Sequence, residues 1–469
     1  MSTSRYSAIA LDLGTTSVKA GLLDRDGVLS RVISHPAPTI SVNGRRYESD
    51  ALAYFNTAEQ VLHECVADAQ DCRILGLCSQ RSSFLIWERG SGRPVTPLIS
   101  WQDTRGESSC DELRPDGSRI RELAGLPLTP YYFAPKLHHV LREDPDLLPR
   151  LERGELMVGM LDTFLVWRWS RGLHFITDTS MAARTLLMDI RSQQWSPVLC
   201  ELFGIPARIL PRIGLSEAID IRLDNGLTLR ASLGDQSAAL YAGIAEDGKE
   251  AIANLGTGCF VERYLPAGKV ASEGYLHTLV YQDRARQMHF AIEGTLNSIA
   301  AALAPYPVGE CRIEELGEGD IYCLAEPGGL GAPYFRGDIG LAFSQPVGHL
   351  SQRDVAVLLL EAVIFRVTRI LEEFHRDAML ERVYLSGGLA ELVILQQGIA
   401  RCVPLEVYRL RQGESSLLGA GMMAAGMPPA SSRDAGQIEV AGAPGALLSK
   451  YRRWSAWFDD LLSQKQPAS

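Results

Sequence analysis

Nowhere in its 469 residues does the chain carry an uninterrupted apolar run of the ~18 or more residues that a membrane-spanning helix needs. Its first residues, MSTSRYSAIALDLG, lack the long apolar core of a secretory leader. No CxxC pair and no cysteine-histidine cluster is present, and the nine cysteines are an odd number, which disfavours both a structural zinc site and a disulfide framework. Together these absences predict a cytoplasmic protein with no membrane partner. Basic residues are the minority, 46 Lys and Arg against 56 Asp and Glu, for a net charge of -10. That balance argues against a nucleic-acid partner and leaves any phosphate to be met by locally concentrated positive charge. With 46% hydrophobic and 22% charged residues, the composition is that of a globular protein long enough for two large domains.

What is present concentrates near the start. Residues 9–24, IALDLGTTSVKAGLLD, read as two short strands over 9–11 and 20–23 joined by a turn. Gly14 permits a close backbone approach, and successive N–H groups there can cradle an anion. Thr15, Thr16 and Ser17 add hydroxyls, Lys19 adds a positive charge for a phosphate, and Asp12 can hold a hydrated Mg²⁺. The turn has neither the GxGxxG of a dinucleotide fold nor the GxxxxGK[ST] of a P-loop. An ordinary Gly/Thr turn at a strand end is the plainer reading of this stretch taken alone.

Further along, residues 34–50 read as a polar loop or ribbon, since Pro36 and Pro38 disfavour a helix. A helix is expected over 51–69, then a strand over 74–79 that delivers Gln80 and Arg81 at its C-terminal end, where ligands gather in α/β sheets. A hairpin over 84–88 and 96–101 brings Trp101, Asp103 and Arg105 towards Arg81. That set suits a polyhydroxylated ligand, or else is a surface ion pair with a core Trp. Residues 119–189 read as mainly helical, with an amphipathic helix in GMLDTFLVWRWSRG and with Tyr131 and Tyr132 in a loop before Lys136. In ASLGDQSAALY, Asp235 and Gln236 fall at a helix N-terminus, so Asp235 is either a cap or a general base. An ordinary aspartate, with pKa about 3.9, is already ionised at neutral pH, so no unusual tuning is required for that role.

IANLGTGCFVE, residues 252–262, repeats the strand-turn-strand texture of the opening and predicts a duplicated domain with its break near 234–248. Ser351 and Asp354 form a capping box that opens a helix over 351–376, apolar almost all round. VYLSGGLAE runs a strand into Gly387 and Gly388, where the missing Cβ atoms would let a flat ring such as adenine lie against the backbone. The small residues of GESSLLGAG imply a closely packed helix. A loop over 426–445 and a terminal helix over 447–464 complete the chain.

In order, DLGTTSVK, GLCSQRSSFLIW, ISWQDTRG, LDTFLVW, GDQSAAL, NLGTGCF, GGLGAPY, LSGGLAE and GESSLLGAG resemble the motifs of the FGGY carbohydrate kinases over nearly the whole chain, with the closest likeness to the glycerol kinases. The resemblance implies an α/β fold of two ribonuclease H-like domains, of the actin, Hsp70 and sugar kinase superfamily, with an inter-domain cleft. An N-terminal domain over 1–240 would bind polyol or sugar, and a C-terminal domain over 241–469 would bind nucleotide. By position it further implies ATP and Mg²⁺, with Asp12 and Asp235 placing the metal. Asp235 would be the catalytic base, and Thr15, Thr16 and Lys19 would contact phosphate. Gly256, Thr257 and Gly258 would hold the β- and γ-phosphates, and Gly387 and Gly388 would face the adenine. Arg81, Trp101, Gln236, Phe260 and one of Tyr131 or Tyr132 fall where the family contacts the polyol. Two departures stand out. Ser82 occupies the position where glycerol kinases carry a substrate-binding glutamate, which predicts a different or larger polyol. Leu392, beside Glu391, replaces an asparagine near the adenine, which leaves the nucleotide preference open. The oligomeric state is open too, a homodimer included. A catalytically silent sensor of the same fold would lack the base or the phosphate loop, and this sequence has both.

Overall fold

The structure, a computed structural model, describes residues 5–67, 69, 71–266, 269, 272–411, 413–431, 434–440 and 445–464. Residues 1–4 of the expected leaderless start, and 432, 433 and 441–444 of the loop expected over 426–445, lie outside that set. The described chain divides into two units. One comprises 1–242, 278–290 and 414–429; the other comprises 243–277, 291–413 and 430–469. The sequence suggests a single break near 240, whereas two later segments return to the N-terminal unit.

In the N-terminal unit a six-stranded sheet runs in the order Glu217–Arg222, Thr228–Gly234, Ile74–Ser79, Tyr6–Leu13, Ser17–Asp24, Leu29–Pro36. Tyr6–Leu13 pairs antiparallel with Ser17–Asp24 and parallel with Ile74–Ser79. Side chains alternate between faces of a strand. Ile9, Leu11 and Leu13 therefore join the core under helix Ala51–Val66, whose first turn is capped by Asp50 accepting from the Leu52 and Ala53 amides. Ala8, Ala10 and Asp12 belong to the other face, against helix Ser415–Ala424. The small residues there are a steric requirement. A Cβ on Gly76 would sit 2.0 Å from the Ala420 carbonyl oxygen, and one on Gly419 would sit 1.8 Å from that of Ala238. A second, antiparallel sheet of five strands includes Arg46–Ser49, Leu98–Ile99, Phe84–Glu88 and Leu156–Met160, and it presents the segments that carry Arg81 and Trp101.

The seven-stranded sheet of the C-terminal unit repeats the first sheet's directions. Glu250–Leu255 pairs antiparallel with Cys259–Tyr264 and parallel with Arg382–Ser386. Met288–Leu296 adds an antiparallel strand on one side, Glu406–Leu410 a parallel strand on the other, and Ala435–Gln437 an antiparallel edge. The two opening hairpins thus occupy equivalent positions in equivalent sheets. Helix Gln352–Asp377 begins with the expected Ser351/Asp354 capping box and is buried along most of its length. Helix Gly445–Gln464 packs into the same core through Leu447, Tyr451, Trp454 and Phe458.

One local expectation is corrected and two are refined. Helix Leu161–Trp169 is not amphipathic, since every side chain but Arg168 is buried; it fills the space beneath Trp87. The stretch 119–189 also contains strands Leu156–Met160 and Ile176–Asp178. The helix expected over 51–69 ends at Val66. Among the described residues no helix is long and apolar enough to cross a membrane.

Candidate active site

In the N-terminal unit the turn between the first two strands closes with the Gly14 amide on the Ser17 carbonyl at 3.1 Å. A Cβ on Gly14 would lie 2.8 Å from that same oxygen, so the turn tolerates glycine best. Thr16 is exposed, while Thr15 is half-buried and its hydroxyl accepts from the Trp101 indole N–H at 3.0 Å. Lys19 does not stand free. Its Nζ lies 2.8 and 2.7 Å from the two carboxylate oxygens of Glu414.

Asp12 is 8% exposed and accepts from the Ser416 hydroxyl at 2.7 Å. Its Oδ1 is buried with no hydrogen-bond partner among the described residues. Burial pushes its carboxyl up to about 6; Ser416 opposes that shift and the charge of Asp235 adds to it. Glu414 and Ser416 come from GESSLLGAG, nearly 400 positions downstream, and sequence reasoning assigned them no role. The one available signal was a polar Glu-Ser-Ser placed directly before a helix of small residues.

Asp235 opens helix Asp235–Gly243 at the C-terminal end of strand Thr228–Gly234. Its Oδ1 accepts from the Gln236 amide at 2.7 Å and lies 3.7 Å from Arg81 Nε, with 32% of the side chain exposed. Burial raises its carboxyl above the ordinary value and the Arg81 guanidinium opposes this. Arg81 also donates to the Gln236 side chain, so Arg81, Asp235 and Gln236 form one connected group.

Trp101, 40% exposed, is anchored by its backbone N–H to Ser83 Oγ at 2.9 Å. Ser82 stands directly after Arg81. It is 5% exposed with a φ of 61°, and its hydroxyl donates to the Arg184 carbonyl at 2.9 Å. Asp103 and Arg105 are scaffold. Both are buried, and Arg105 bonds both carboxylate oxygens of Asp103 as well as Glu48. Tyr131 is 49% exposed, and Tyr132 precedes helix Phe133–Glu143 as its cap residue.

In the C-terminal unit, the loop between Glu250–Leu255 and Cys259–Tyr264 closes with the Gly256 amide on the Gly258 carbonyl at 2.8 Å, leaving Thr257 exposed. A Cβ on Gly258 would lie 2.7 Å from the Leu296 carbonyl oxygen. Phe260 follows in the strand, half-buried. Gly387 adopts a φ of 88°, and a Cβ there would meet Asn254 Oδ1 and the Leu255 carbonyl oxygen at 2.5 Å. A Cβ on Gly388 would meet nothing within 4 Å, so its surface is open to a flat ligand. Glu391 is paired with Arg409.

Residues 7–247 match the FGGY family of carbohydrate kinases, N-terminal domain, and residues 251–427 match the C-terminal domain of the same family. The chain belongs to this family. Among FGGY relatives, the glycerol kinase of Xanthobacter autotrophicus is 31% identical over 450 residues, covering 89% of each chain. The apulose kinase of Pectobacterium atrosepticum is 30% identical over 486 residues, covering 95% of this chain and 96% of that one. The solved structure of Plasmodium falciparum glycerol kinase with ADP aligns with a TM-score of 0.83 at 19% identity, covering 98% of both chains. That of Rhodospirillum rubrum xylulose kinase aligns at 0.78 and 18%, covering 97% and 99%. The fold is the two-domain sugar kinase fold. The protein is a carbohydrate kinase, a phosphotransferase acting on a sugar or polyol, and kinases of this family use ATP.

Proposed function

We propose that this kinase transfers the γ-phosphoryl group of ATP to a hydroxyl of a small polyol or ketose other than glycerol, with Asp235 as general base. The observation that carries the reading is the group at the end of strand Thr228–Gly234. There a partly exposed carboxylate is held by its own helix amide at 2.7 Å and by Arg81 at 3.7 Å, and Arg81 is itself oriented by Gln236. A carboxylate so placed takes the proton of a bound alcohol as its oxygen attacks phosphorus. Arg81 and Gln236 bond neighbouring hydroxyls, and the Trp101 ring, with Tyr131 or Tyr132, covers C–H faces. Gly256, Thr257 and Gly258 offer backbone and hydroxyl donors to the phosphates, as do Thr15 and Thr16, while Gly387 and Gly388 leave room for the base. Lys19 reaches a phosphate by exchanging its Glu414 partner.

Mg²⁺ suits the acidic pair. Asp12 has a buried oxygen without a partner among the described residues, and the charges of Asp12 and Asp235 work against each other. Among the described residues no group of three or more His, Cys, Asp or Glu could hold a metal. One or two carboxylates plus phosphate and water are the usual Mg²⁺ environment. When bound, the ion neutralises phosphate charge. Residues 1–240 would bind the sugar and 241–469 the nucleotide, in a cytoplasmic enzyme.

Ser82 is 5% exposed and its hydroxyl proton is committed to the Arg184 carbonyl, so in place of a glutamate's charged carboxylate it offers only a short, neutral and buried oxygen. A coupled ADP assay over glycerol, erythritol, pentuloses, branched ketoses and sugar acids is expected to give kcat/KM on the best ketose or longer polyol about tenfold or more above glycerol. A clear preference for glycerol would refute the substrate reading. Asp235→Asn should lower kcat by about 100-fold or more while ATP binding measured by calorimetry persists. Full turnover in that variant would remove Asp235 from the mechanism.

A further inference from the structure

We propose that Ser180 and Asp178 are positioning residues that fix the backbone carrying Asp235; the proposal rests on Asp235 being the base. Asp178 ends strand Ile176–Asp178, is 2% exposed, and has both carboxylate oxygens filled by donors. Oδ1 accepts from the Met181 amide at 3.0 Å and the Ser180 hydroxyl at 3.1 Å. Oδ2 accepts from the Ser180 amide at 2.9 Å and the Ser216 hydroxyl at 2.6 Å. A serine hydroxyl has a single proton. With that proton directed at Asp178, the lone pairs of Ser180 Oγ are left to accept, and the Gly234 amide donates to them at 2.8 Å.

Gly234 is the residue immediately before Asp235, and it is buried. Arg81 and Met181 both close off its Cα: a Cβ built there would lie 2.7 Å from Arg81 Cδ and 3.6 Å from the Met181 sulfur. The backbone at Gly234, one residue before Asp235, is therefore held by one hydrogen bond and hemmed in by two side chains, and the hydrogen bond is oriented by a buried carboxylate. Asparagine cannot replace Asp178 silently. Each carboxylate oxygen faces two donors, so either orientation of an amide turns an NH₂ group against them.

Displacing a reacting group by a fraction of an ångström slows the chemical step and leaves ground-state binding nearly intact. Ser180→Ala is expected to lower kcat about tenfold or more, with KM for sugar and for ATP each within about twofold. Asp178→Asn should behave the same way. Ser216→Ala is the control, because it removes an equally buried donor to Asp178 whose hydroxyl makes no hydrogen bond to Gly234 among the described residues, and its kcat should stay within about twofold of the parent. Wild-type kcat in folded Ser180→Ala or Asp178→Asn protein overturns the proposal. So does an equal loss in Ser180→Ala and Ser216→Ala that tracks their melting temperatures, which would make the network structural only. Asp235→Asn, assayed alongside, separates the two claims. If it is active the base assignment falls; if it is inactive while Ser180→Ala is normal, only the positioning role falls.

Discussion

Lys136 carries its ammonium into a site with 0% exposure, where it donates to the carbonyls of Ser82 at 2.9 Å and Ser100 at 2.8 Å. Those carbonyls are adjacent in sequence to Arg81 and Trp101, so one buried cation ties together the two segments that present them. Burial pushes its pKa down to about 7, with Asp103 opposing the shift. Lys136→Met leaves both carbonyls without that donor. It is expected to raise the sugar KM several-fold, about 1 kcal/mol, with the ATP KM unchanged in initial-rate kinetics. Asp162 makes the opposite kind of prediction, one about stability. It is 1% exposed, its Oδ1 has no partner among the described residues, and burial pushes it up to about 7. Its folded-state pKa lies above its unfolded value, so the folded form binds the extra proton. The stabilisation is complete below the unfolded pKa and is lost as pH rises through about 7. Asparagine does not titrate. Asp162→Asn should therefore gain on the parent protein as pH rises from about 4 to 8, by on the order of 2–4 kcal/mol, read by thermal unfolding across that range.

Among the elements, glycines separate packing from binding. Gly419→Ala drives a Cβ to within 1.8 Å of the Ala238 carbonyl, backbone against backbone, with no flexible group to yield. Gly388→Ala meets nothing within 4 Å. The first is expected to lower the melting temperature markedly, by roughly 2 kcal/mol or more of stability, while the second leaves it unchanged and weakens ATP binding in calorimetry. Elements of this kind were legible where the signal is local. The strand over 74–79, both glycine hairpins and the Ser351 capping box follow from alternation, turn residues and cap spacing, and the structure has them. Helix Leu161–Trp169 was legible as a helix but not in its surroundings. Its polar residues Asp162, Thr163 and Arg168 do not gather on one face, and neighbouring aromatics enclose it. Ser82 was legible as a missing glutamate, but not its φ of 61°, which turns the hydroxyl to Arg184. The contacts of Glu414 with Lys19 and Ser416 with Asp12 were illegible for a simpler reason. They join residues 395 and 404 positions apart, and no local period reports such a pairing.

For the molecule as a whole, the two sheets share one sequence of strand directions, which a duplicated ancestor explains, yet the halves are not independent lengths of chain. The N-terminal unit is completed by residues 414–429. Within that segment, helix Ser415–Ala424 covers the sheet face that bears Ala10 and Gly76, and it buries Leu417, Met422 and Met423. Three such side chains are worth about 5 kcal/mol or more, against a net stability of about 5–15 kcal/mol for a typical domain. The same helix supplies Ser416 to Asp12, so its loss also strips a hydrogen bond from a buried carboxylate. A fragment comprising residues 1–247, the span of the N-terminal family match, is therefore expected to lack a cooperative thermal transition and to bind a hydrophobic dye. Joining residues 411–430 to it through a flexible linker should recover much of the transition, because loop closure over a longer linker adds only about 0.6 kcal/mol per doubling of length. A fragment of residues 1–247 that melts cooperatively near the temperature of the intact protein would show that the returning helix is dispensable to the sheet beneath it.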